Sequence, residues 1–445
     1  MLSIGEVAQH METLLEPVAA RLAHEAGWVR RRSKLTGPRF VQTLVLGWLR
    51  APQASLEALC QTAASLGVAI SPQGLDQRFG RAAADYLKGV LDAAVEAVLA
   101  TEPVAIPLLS RFTAVTIEDS STVVLPPSLA ELWAGCGSAQ GPRSAAALKL
   151  QVRLDLCTGQ LTGPCLADGR AADQRSGVPV AALPAGGLRI ADLGYFSLET
   201  MGTLSEREVY WLSRLQAQTA VFDAAGARLV LVDWLERHRT QPVDEPVCLG
   251  SGQRLPARLL AVPVPQAVAD ARRRKLREAL RNQGRTVSKE RLALAGWTLL
   301  VTNAPGELIS VAEALVLYRV RWQIELLFKL WKQHGRIDEW RSAKPWRILC
   351  ELYAKLVALV LQHWCLLVGC WAVPNRSWVK AAETIRAHAP VLASALAGLL
   401  PLTAALEQLA RTLAAGCRLN RRRAHPNTIQ YLFEPGLAEP WLTAA

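Results

Sequence analysis

The segment Tyr318–Lys332 constrains this chain more than any other, because four of its polar residues share one face of a predicted helix. Its sequence, YRVRWQIELLFKLWK, has four such residues at offsets of 0, 3, 7 and 14: Tyr318, Arg321, Glu325 and Lys332. At about 100° per residue, these side chains fall within an arc of about 60°. Apolar side chains cover much of the remaining circumference, as on a helix packed against a core. A carboxylate among basic groups suits a site that holds a metal ion while neighbouring cations bind phosphates.

The same segment permits a simpler interpretation. Glu325 and Lys329 form an ordinary i,i+4 pair, which on a solvated helix contributes about 0.2–0.5 kcal/mol. The catalytic interpretation therefore depends on acidic residues elsewhere in the chain.

Two aspartates follow predicted strands. Thr113–Ile117 is predicted as a strand that leads into Asp119, and Leu188–Ala191 as a short buried strand that ends at Asp192. A carboxylate at a strand end points into the crevice where open α/β sheets bind ligands. Two-metal phosphoryl transfer needs carboxylates that converge from different elements, and Glu325 on its helix would be the third. In isolation, either aspartate is also typical of a turn or a cap.

These motifs carry a resemblance to a known family. The spacing Tyr-x2-Arg-x3-Glu-x6-Lys resembles the YREK signature of the DDE transposases of bacterial insertion sequences, in the insertion sequence four group. The contexts TIEDSSTVVLPPSL around Asp119 and LRIADLGYFSLETM around Asp192 resemble the two aspartate motifs of that family. LAGWTLLVTN is also similar, and it implies that Trp297 stacks on a base flipped out near the transposon end. The resemblance covers residues 110–375.

The resemblance implies an architecture. The fold class is α/β, with a ribonuclease H-like catalytic core that carries a mainly β insertion domain and is flanked by helical N- and C-terminal regions. The expected boundaries are 1–107 for a helical DNA-binding region, 108–216 and 307–375 for the two parts of the core, 217–306 for the β-rich insertion, and 376–445 for a helical region that serves dimerisation or DNA contact.

The resemblance also implies a chemistry, cut-and-paste transposition through a hairpin intermediate. Three acids would coordinate two Mg²⁺ ions, for which Mn²⁺ can substitute: Asp119, Asp192 and Glu325. Three residues of the motif helix would bind phosphates at the transposon end: Tyr318, Arg321 and Lys332. The implied partners are double-stranded DNA, as terminal inverted repeats and as target, and a second copy of the chain in a synaptic homodimer. The alternatives are a catalytically inactive DNA-binding regulator or inhibitor of transposition, a stand-alone nuclease and a membrane-associated basic protein.

The charge of the chain agrees with a polyanionic partner. The formal net charge is +12, which favours nucleic acid or an anionic membrane surface. Basic runs at residues 30–34, 272–277 and 418–423 suggest a distributed track for phosphates. Each run alone is also typical of a solvated face.

A weak helix-turn-helix pattern lies in the N-terminal region. Ser55–Leu66 and Pro72–Phe79 are predicted as two short helices joined by a turn. In a helix-turn-helix unit, Gln73, Gln77 and Arg78 would face a groove of DNA. A helical hairpin with no role in DNA binding fits the same pattern.

One stretch, Leu352–Val373, is apolar enough to suggest a membrane span. It contains Lys355, Gln362 and His363, and a spanning helix needs about 20 mostly uncharged residues, so we predict a buried helix instead. No signal peptide is visible, and the nine cysteines and seven histidines show no metal-binding spacing. We therefore expect reduced thiols in a cytoplasmic, nucleoid-associated protein without membrane contact.

Overall fold

The N-terminal region is helical. The computed structural model describes residues 2–29, 33–136, 145–175, 177–238, 241–282 and 284–443; Arg30, Arg31 and Arg32 of the first basic run lie outside the described residues. Serine or threonine hydroxyls cap several of the helices and accept a backbone N–H bond in the first turn. These helices are α1 (Ile4–Thr13), α2 (Ala19–Glu25), α3 (Gly37–Arg50), α4 (Leu56–Ser65), α5 (Pro72–Asp76) and α6 (Arg81–Glu96).

The two short helices of the predicted helix-turn-helix pattern are α4 and α5. Helix α5 has only five residues. The side chains of Gln73, within this helix, and Gln77, directly after it, are exposed. Arg78 differs, because its guanidinium donates a 3.0 Å hydrogen bond to Ser33 and lies over the ring of Trp28. Arg78 therefore stabilises the N-terminal region internally, and it does not extend outward as the pattern predicted.

One mixed sheet runs through the rest of the described chain. Its nine strands are β1 (Val115–Leu125), β2 (Ala146–Asp155), β3 (Leu161–Asp168), β4 (Leu188–Ala191), β5 (Tyr210–Arg214), β6 (Val221–Phe222), β7 (Val243–Leu249), β8 (Leu255–Pro263) and β9 (Trp297–Thr302). Their order across the sheet is β3-β2-β1-β4-β5-β9-β8-β7-β6. Strands β1, β4 and β5 are parallel neighbours, and the other pairs are antiparallel. Strands β6 to β9, from the expected insertion, thus extend the same sheet beyond β5.

Helices cover the sheet and complete the chain. Their bounds are α7 (Leu198–Glu206), α8 (Leu231–Arg237), α9 (Gln266–Arg281), α10 (Lys289–Leu294), α11 (Val311–Val320), α12 (Trp322–Lys329), α13 (Pro345–Leu366), α14 (Trp378–Leu396), α15 (Leu402–Ala415), α16 (Thr428–Phe433) and α17 (Pro440–Thr443). The predicted helix Ser310–Lys332 begins at Ser310 with the expected capping box. It is divided at Arg321 into α11 and α12, and it ends in a π-helical turn, Leu330–His334.

Two strand predictions need correction. Strand β1 does not end at Asp119 but continues to Leu125, because its second half stays paired with β2. The apolar residues of Arg228–Val232 also predict a short strand, and this prediction is wrong. Arg228 makes only an isolated bridge, and α8 begins at Leu231 because a helix buries Leu235 in the core.

Helix α13 is the stretch that resembled a membrane span. Helix α13 and the π-helical turn that follows it span Pro345–Trp371, which is long and apolar enough to cross a membrane. Of the most apolar 18 residues in this span, however, 89% are buried inside the protein. Buried Lys355 pairs with Glu351 at 2.7 Å, and buried His363 lies 2.7 Å from the Gly159 carbonyl oxygen. Buried polar side chains that have protein partners belong to a core helix, as the sequence predicted.

A buried ion triad joins three strands at the centre of the sheet. Glu118 on β1 lies opposite Arg153 on β2, and Arg189 on β4 reaches the same carboxylate. The Arg189 Nη2 atom is 2.6 Å from Glu118 Oε2, and the Arg153 Nε atom donates to Oε1. Burial alone would raise the pKa of Glu118, but the two arginine charges outweigh it and hold that pKa below its usual range. The triad therefore fixes β2, β1 and β4 relative to one another.

Replacing Glu118 with alanine should destabilise the fold by about 3–5 kcal/mol, because two buried guanidinium groups would lose their compensating charge. Urea unfolding followed by tryptophan fluorescence measures the loss. Glu25→Ala is the matched control, since Glu25 pairs with Arg21 on an exposed surface and its removal should leave the unfolding midpoint nearly unchanged. Similar midpoints for the two variants would contradict the role of the triad.

Candidate active site

The parallel pairing of β1 with β4 brings two of the predicted acids to the same level. Glu118 is the register partner of Ala191, so the next residues, Asp119 and Asp192, lie side by side where the two strands stop pairing. A crevice opens at such a point in an α/β sheet. Helix α12 packs on β1 and carries Glu325 to the same crevice.

Arg321 lies at the centre of the three carboxylates. Its Nη2 atom is 2.8 Å from Glu325 Oε1, its Nη1 atom is 3.6 Å from Asp119 Oδ2, and its Nε atom is 3.8 Å from Asp192 Oδ1. The structure thus brings together the three acids that the sequence singled out, although they are far apart in the chain. Arg321 comes into contact with all of them because it occupies the break between α11 and α12.

The hydrogen bonding of Arg321 is incomplete. Its Nε and Nη1 atoms are buried and have no hydrogen-bond partner among the described residues, and the three carboxylates exceed the single guanidinium charge. Such a site favours additional cations, and carboxylate oxygens are the hard donors that divalent ions of the magnesium type prefer. No group of three His, Cys, Asp or Glu side chains in the described part of the chain is spaced to hold one ion. The fit of this site to divalent cations therefore rests on the donor chemistry of its carboxylates.

Burial also changes the acidity of the site. Burial, together with the negative charges of Asp192 and Glu325, raises the pKa of Asp119 to about 6. The N–H of Ser120, 2.8 Å from Asp119 Oδ1, and the charge of Arg321 act in the opposite direction. Ionisation of Asp119 therefore costs the folded protein free energy in the absence of a cation.

Tyr318 and Lys332 lie on either side of the acids. The Tyr318 hydroxyl is 3.4 Å from Asp192 Oδ1, and burial raises the pKa of this phenol to about 12, so it is a neutral donor at physiological pH. Lys332 is in the π-helical turn, and its Nζ atom donates a 2.9 Å hydrogen bond to the Thr122 carbonyl on β1. Tyr318 thus contacts one of the three acids, whereas Lys332 contacts the strand that carries Asp119, three residues beyond it.

Trp297 is placed differently from the other predicted residues. It is the first residue of β9 and is only 8% exposed, within a second hydrophobic core built from residues between 183 and 301. Its carbonyl accepts a 2.9 Å hydrogen bond from Arg272. Base stacking by Trp297 stays a prediction that requires neighbouring side chains to move away from the ring.

Trp322 is an aromatic residue that the sequence reasoning did not single out. It follows Arg321 directly and is 55% exposed, and Leu326 one turn later is 40% exposed. Exposed apolar side chains beside a polar crevice mark a contact surface. The available signal was their i,i+4 spacing on the side of the helix next to Glu325.

An α/β protein whose crevice gathers three carboxylates and an arginine has the features of enzymes that act on phosphate esters with divalent metal ions. Comparison with known proteins agrees with this class. Residues 110–361, more than half of the chain, match the family described as Transposase DDE domain. The chain belongs to this family, which generally depends on divalent metal ions.

Three relatives illustrate the similarity. The chain is 30% identical to the transposase for insertion sequence element IS231C of Bacillus thuringiensis subsp. berliner, over 80% of this chain and 78% of that protein. It is 23% identical to the transposase for insertion sequence element IS1151 of Clostridium perfringens, over 77% and 76%. It is 33% identical to the putative transposase InsL for insertion sequence element IS186A of Escherichia coli strain K12, over 50% and 62%.

Asp119→Asn should raise the melting temperature of the metal-free protein at pH 8. The pKa of Asp119 is about 6 in the folded protein and 3.8 ordinarily, so ionisation costs the folded state about 2–3 kcal/mol above pH 6. Asparagine removes this cost. The gain should disappear as the pH falls below about 4, where Asp119 is protonated in both the folded and the unfolded state.

Thermal melts in EDTA between pH 4 and pH 8 test this expectation. Asp223→Asn is the control, because Asp223 caps a turn remote from the crevice by accepting the Ala227 N–H and should give no such pH-dependent gain. An Asp119→Asn protein that melts no higher than the wild type at pH 8 would contradict the prediction.

Proposed function

We propose that the protein is the transposase of an insertion sequence, and that it binds the inverted-repeat ends of the element and catalyses Mg²⁺-dependent DNA cleavage and strand transfer. The observation that carries this proposal is the convergence of Asp119, Asp192 and Glu325 around Arg321 in a chain of the DDE family. The names of its relatives as insertion-sequence transposases support it.

We assign residues 108–216 and 307–375 to a ribonuclease H-like core. The order β3-β2-β1-β4-β5, with β1 antiparallel to β2 and parallel to β4, supports this assignment. The β-rich insertion, 217–306, would be the extension formed by β6 to β9, and the helical regions 1–107 and 376–445 would bind DNA or a second subunit. The positions of Tyr318 and Lys332 beside the acids support membership of the YREK group.

The three acids would hold two Mg²⁺ ions, or Mn²⁺ in their place, and such ions activate the attacking oxygen and stabilise the leaving oxygen. Arg321 would then exchange carboxylate contacts for a phosphate of the DNA end. Its two unpartnered N–H groups match the forked geometry with which arginine binds a phosphate. Tyr318 would donate a neutral hydrogen bond, and Lys332 would contribute a point charge.

The proposed reaction cuts and joins DNA in sequence. Water hydrolyses one strand at the transposon end, and the freed 3′-hydroxyl attacks the opposite strand to form a hairpin. A second hydrolysis reopens the hairpin, and the 3′-hydroxyl then joins the target. Two ends must be processed together, so we propose a homodimer with one active site for each end, acting in the cytoplasm at the bacterial nucleoid.

A basic surface would guide the phosphate backbone to the crevice. Arg214 is the last residue of β5 and lies level with Asp192. Its side chain is exposed, and its positive charge opposes the rise in the pKa of Tyr318. In the described part of the chain, no acid pairs with Arg214. On α9, where Ala269 is the only buried residue, three exposed arginines follow a helical i, i+3, i+7 spacing: Arg274, Arg277 and Arg281. Unpaired guanidinium groups in a row suit a DNA backbone.

Trp322 would contact the bases or sugars at the transposon end. Its exposed ring lies next to Arg321 on the same helix, and an exposed aromatic side chain beside phosphate-binding groups is typical of proteins that bind unstacked nucleotides. We propose this contact in addition to the one that the resemblance implies for Trp297.

Alanine substitution of any of the three acids should abolish nicking. We expect Asp119→Ala, Asp192→Ala and Glu325→Ala each to lower the single-turnover rate at least about 1,000-fold with affinity for DNA nearly unchanged, because the acids act on the reacting atoms. The substrate is a duplex that carries the inverted repeat flanking the coding sequence.

Glu199→Ala is the matched control, because Glu199 is an exposed acid just beyond Asp192 and its removal should leave nicking unaffected. Full nicking by the three acid variants would refute the proposal. Specific binding by the wild type without cleavage in Mg²⁺ or Mn²⁺ would favour the inactive regulator instead.

Replacing Arg274, Arg277 and Arg281 together with alanine should reduce the salt dependence of DNA binding. Each phosphate contact contributes about −0.9 to the slope of log K against log salt concentration, so the slope should fall in magnitude by about 2–3. Fluorescence anisotropy at several salt concentrations measures it. A control triple variant replaces the same three arginines with lysine, which keeps their positive charges and should keep the slope of the wild type. Equal slopes for both triple variants would exclude α9 from the DNA-binding surface.

A further inference from the structure

Asp173 is a fourth acidic residue beside the crevice, and it touches both segments that carry the catalytic aspartates. It begins a short 3₁₀ turn between β3 and β4. Its carboxylate is partly buried, with the side chain 29% exposed. No motif in the sequence marks it.

The first contact of Asp173 leads to Asp119. The hydroxyl of Ser120 donates a 2.7 Å hydrogen bond to Asp173 Oδ1. The backbone N–H of the same serine donates to Asp119 Oδ1 at 2.8 Å. Asp173 thus holds the side chain of Ser120, and the backbone N–H of Ser120 fixes one oxygen of Asp119. The remaining oxygen of Asp119 faces Arg321.

Lys149 fixes the position of Asp173 itself. Its Nζ atom lies 3.0 Å from Asp173 Oδ1 and also donates to the Ala171 carbonyl. Lys149 is on β2, directly opposite Thr122 of β1, and its side chain is only 11% exposed. The ion pair therefore anchors the turn to β2, the strand that pairs with the one carrying Asp119.

The second contact of Asp173 leads to the segment after Asp192. A Cβ atom at Gly194 would lie 2.8 Å from Asp173 Oδ2, so the carboxylate fills the space beside this glycine. The neighbouring Gln174 donates a 2.8 Å hydrogen bond to the Phe196 carbonyl. The turn that carries Asp173 is therefore fastened to the residues that immediately follow Asp192.

We propose that Asp173 is a positioning residue that sets the separation of Asp119 and Asp192, and thereby the affinity of the crevice for divalent cations. This inference rests on the proposed metal-dependent function. Asp173 is not itself a ligand, because its Oδ1 atom already accepts hydrogen bonds from Ser120 and Lys149 and its Oδ2 atom lies against Gly194. It acts through the serine on one side and through the glycine turn on the other.

Manganese binding by the full-length protein in the absence of DNA tests the proposal directly. Asp173→Ala should weaken Mn²⁺ binding about tenfold in calorimetry, the lower end of what loss of a supporting partner costs a metal site. Asp173→Asn should weaken it less, because the amide oxygen still accepts the Ser120 hydrogen bond. Lys149→Met should resemble Asp173→Asn, and the Asp223→Asn control should bind like the wild type. Unchanged Mn²⁺ affinity in Asp173→Ala would overturn the inference.

The kinetics separate positioning from ligation. If Asp173 is a positioning residue, Asp173→Ala should need more Mg²⁺ for half-maximal nicking, in proportion to its weaker Mn²⁺ binding. Saturating Mg²⁺ should then restore its nicking rate to within about threefold of the wild-type rate. For a direct ligand, Asp173→Asn would be as damaging as Asp173→Ala, and saturating metal would not restore the rate. That second outcome would overturn the proposal. If Asp173→Ala fails to fold, the Mn²⁺ affinities of Asp173→Asn and Lys149→Met are compared instead. Similar affinities would support positioning, whereas much weaker binding by Asp173→Asn alone would indicate a direct ligand and overturn the proposal.

A double-mutant cycle tests the contact with Gly194. Gly194→Ala alone should weaken Mn²⁺ binding, because the added methyl group displaces the Asp173 carboxylate. In the Asp173→Ala background the same methyl group should have little further effect, so the two changes should be strongly non-additive. Additive effects would show that Gly194 and Asp173 act separately, and they would refute the proposed contact between Asp173 and the turn after Asp192.

The outcomes also distinguish this inference from the proposed function. Wild-type protein that bound Mn²⁺ but did not cleave DNA would refute the transposase activity, and the role of Asp173 would still be decided by the binding data. Wild-type protein that bound no Mn²⁺ would refute the metal-dependent function and the inference together. Cleavage with normal metal affinity in Asp173→Ala would refute the inference alone.

Discussion

The buried carboxylate of Glu118, held by Arg153 and Arg189, is the interaction on which the site depends. It joins β2, β1 and β4 across the centre of the sheet and so opposes any slip in their register. A slip of one residue would turn Asp119 to the other face of the sheet. With the register held, Asp119 and Asp192 meet where β1 and β4 separate. An ion triad in the interior therefore determines the geometry of a crevice open to solvent.

The crevice itself is unfavourable for the protein alone. Three carboxylates share one guanidinium, two of whose nitrogen atoms make no hydrogen bond to the described residues, and burial raises the pKa of Asp119 far above its ordinary value. Each of these features weakens the folded state and each is relieved by a cation or by a phosphate. Such local strain is characteristic of binding sites, because the ligand supplies the interactions that the fold leaves unmade.

Much of the fold followed from local patterns in the sequence. Strand β4 has the predicted bounds, and the capping box begins the motif helix where its residues indicated. The prediction for β1 was too short because its second half is held by β2, and pairing with a distant strand leaves no local signal. Leu231–Arg237 was not recognised as a helix, since its apolar residues also suit a short strand.

The sequence by itself determined which groups the site contains and how those on one element are spaced, because the helical and strand periods follow from backbone geometry. It set Tyr318, Arg321 and Glu325 on one side of a helix and an aspartate after each of two strands. Only the tertiary structure decided that Arg321 lies among the three acids, that Trp297 is covered, and that Asp173 supports both aspartates. These contacts join residues far apart in the chain, and their distances depend on strand pairing and helix packing, which no local period encodes.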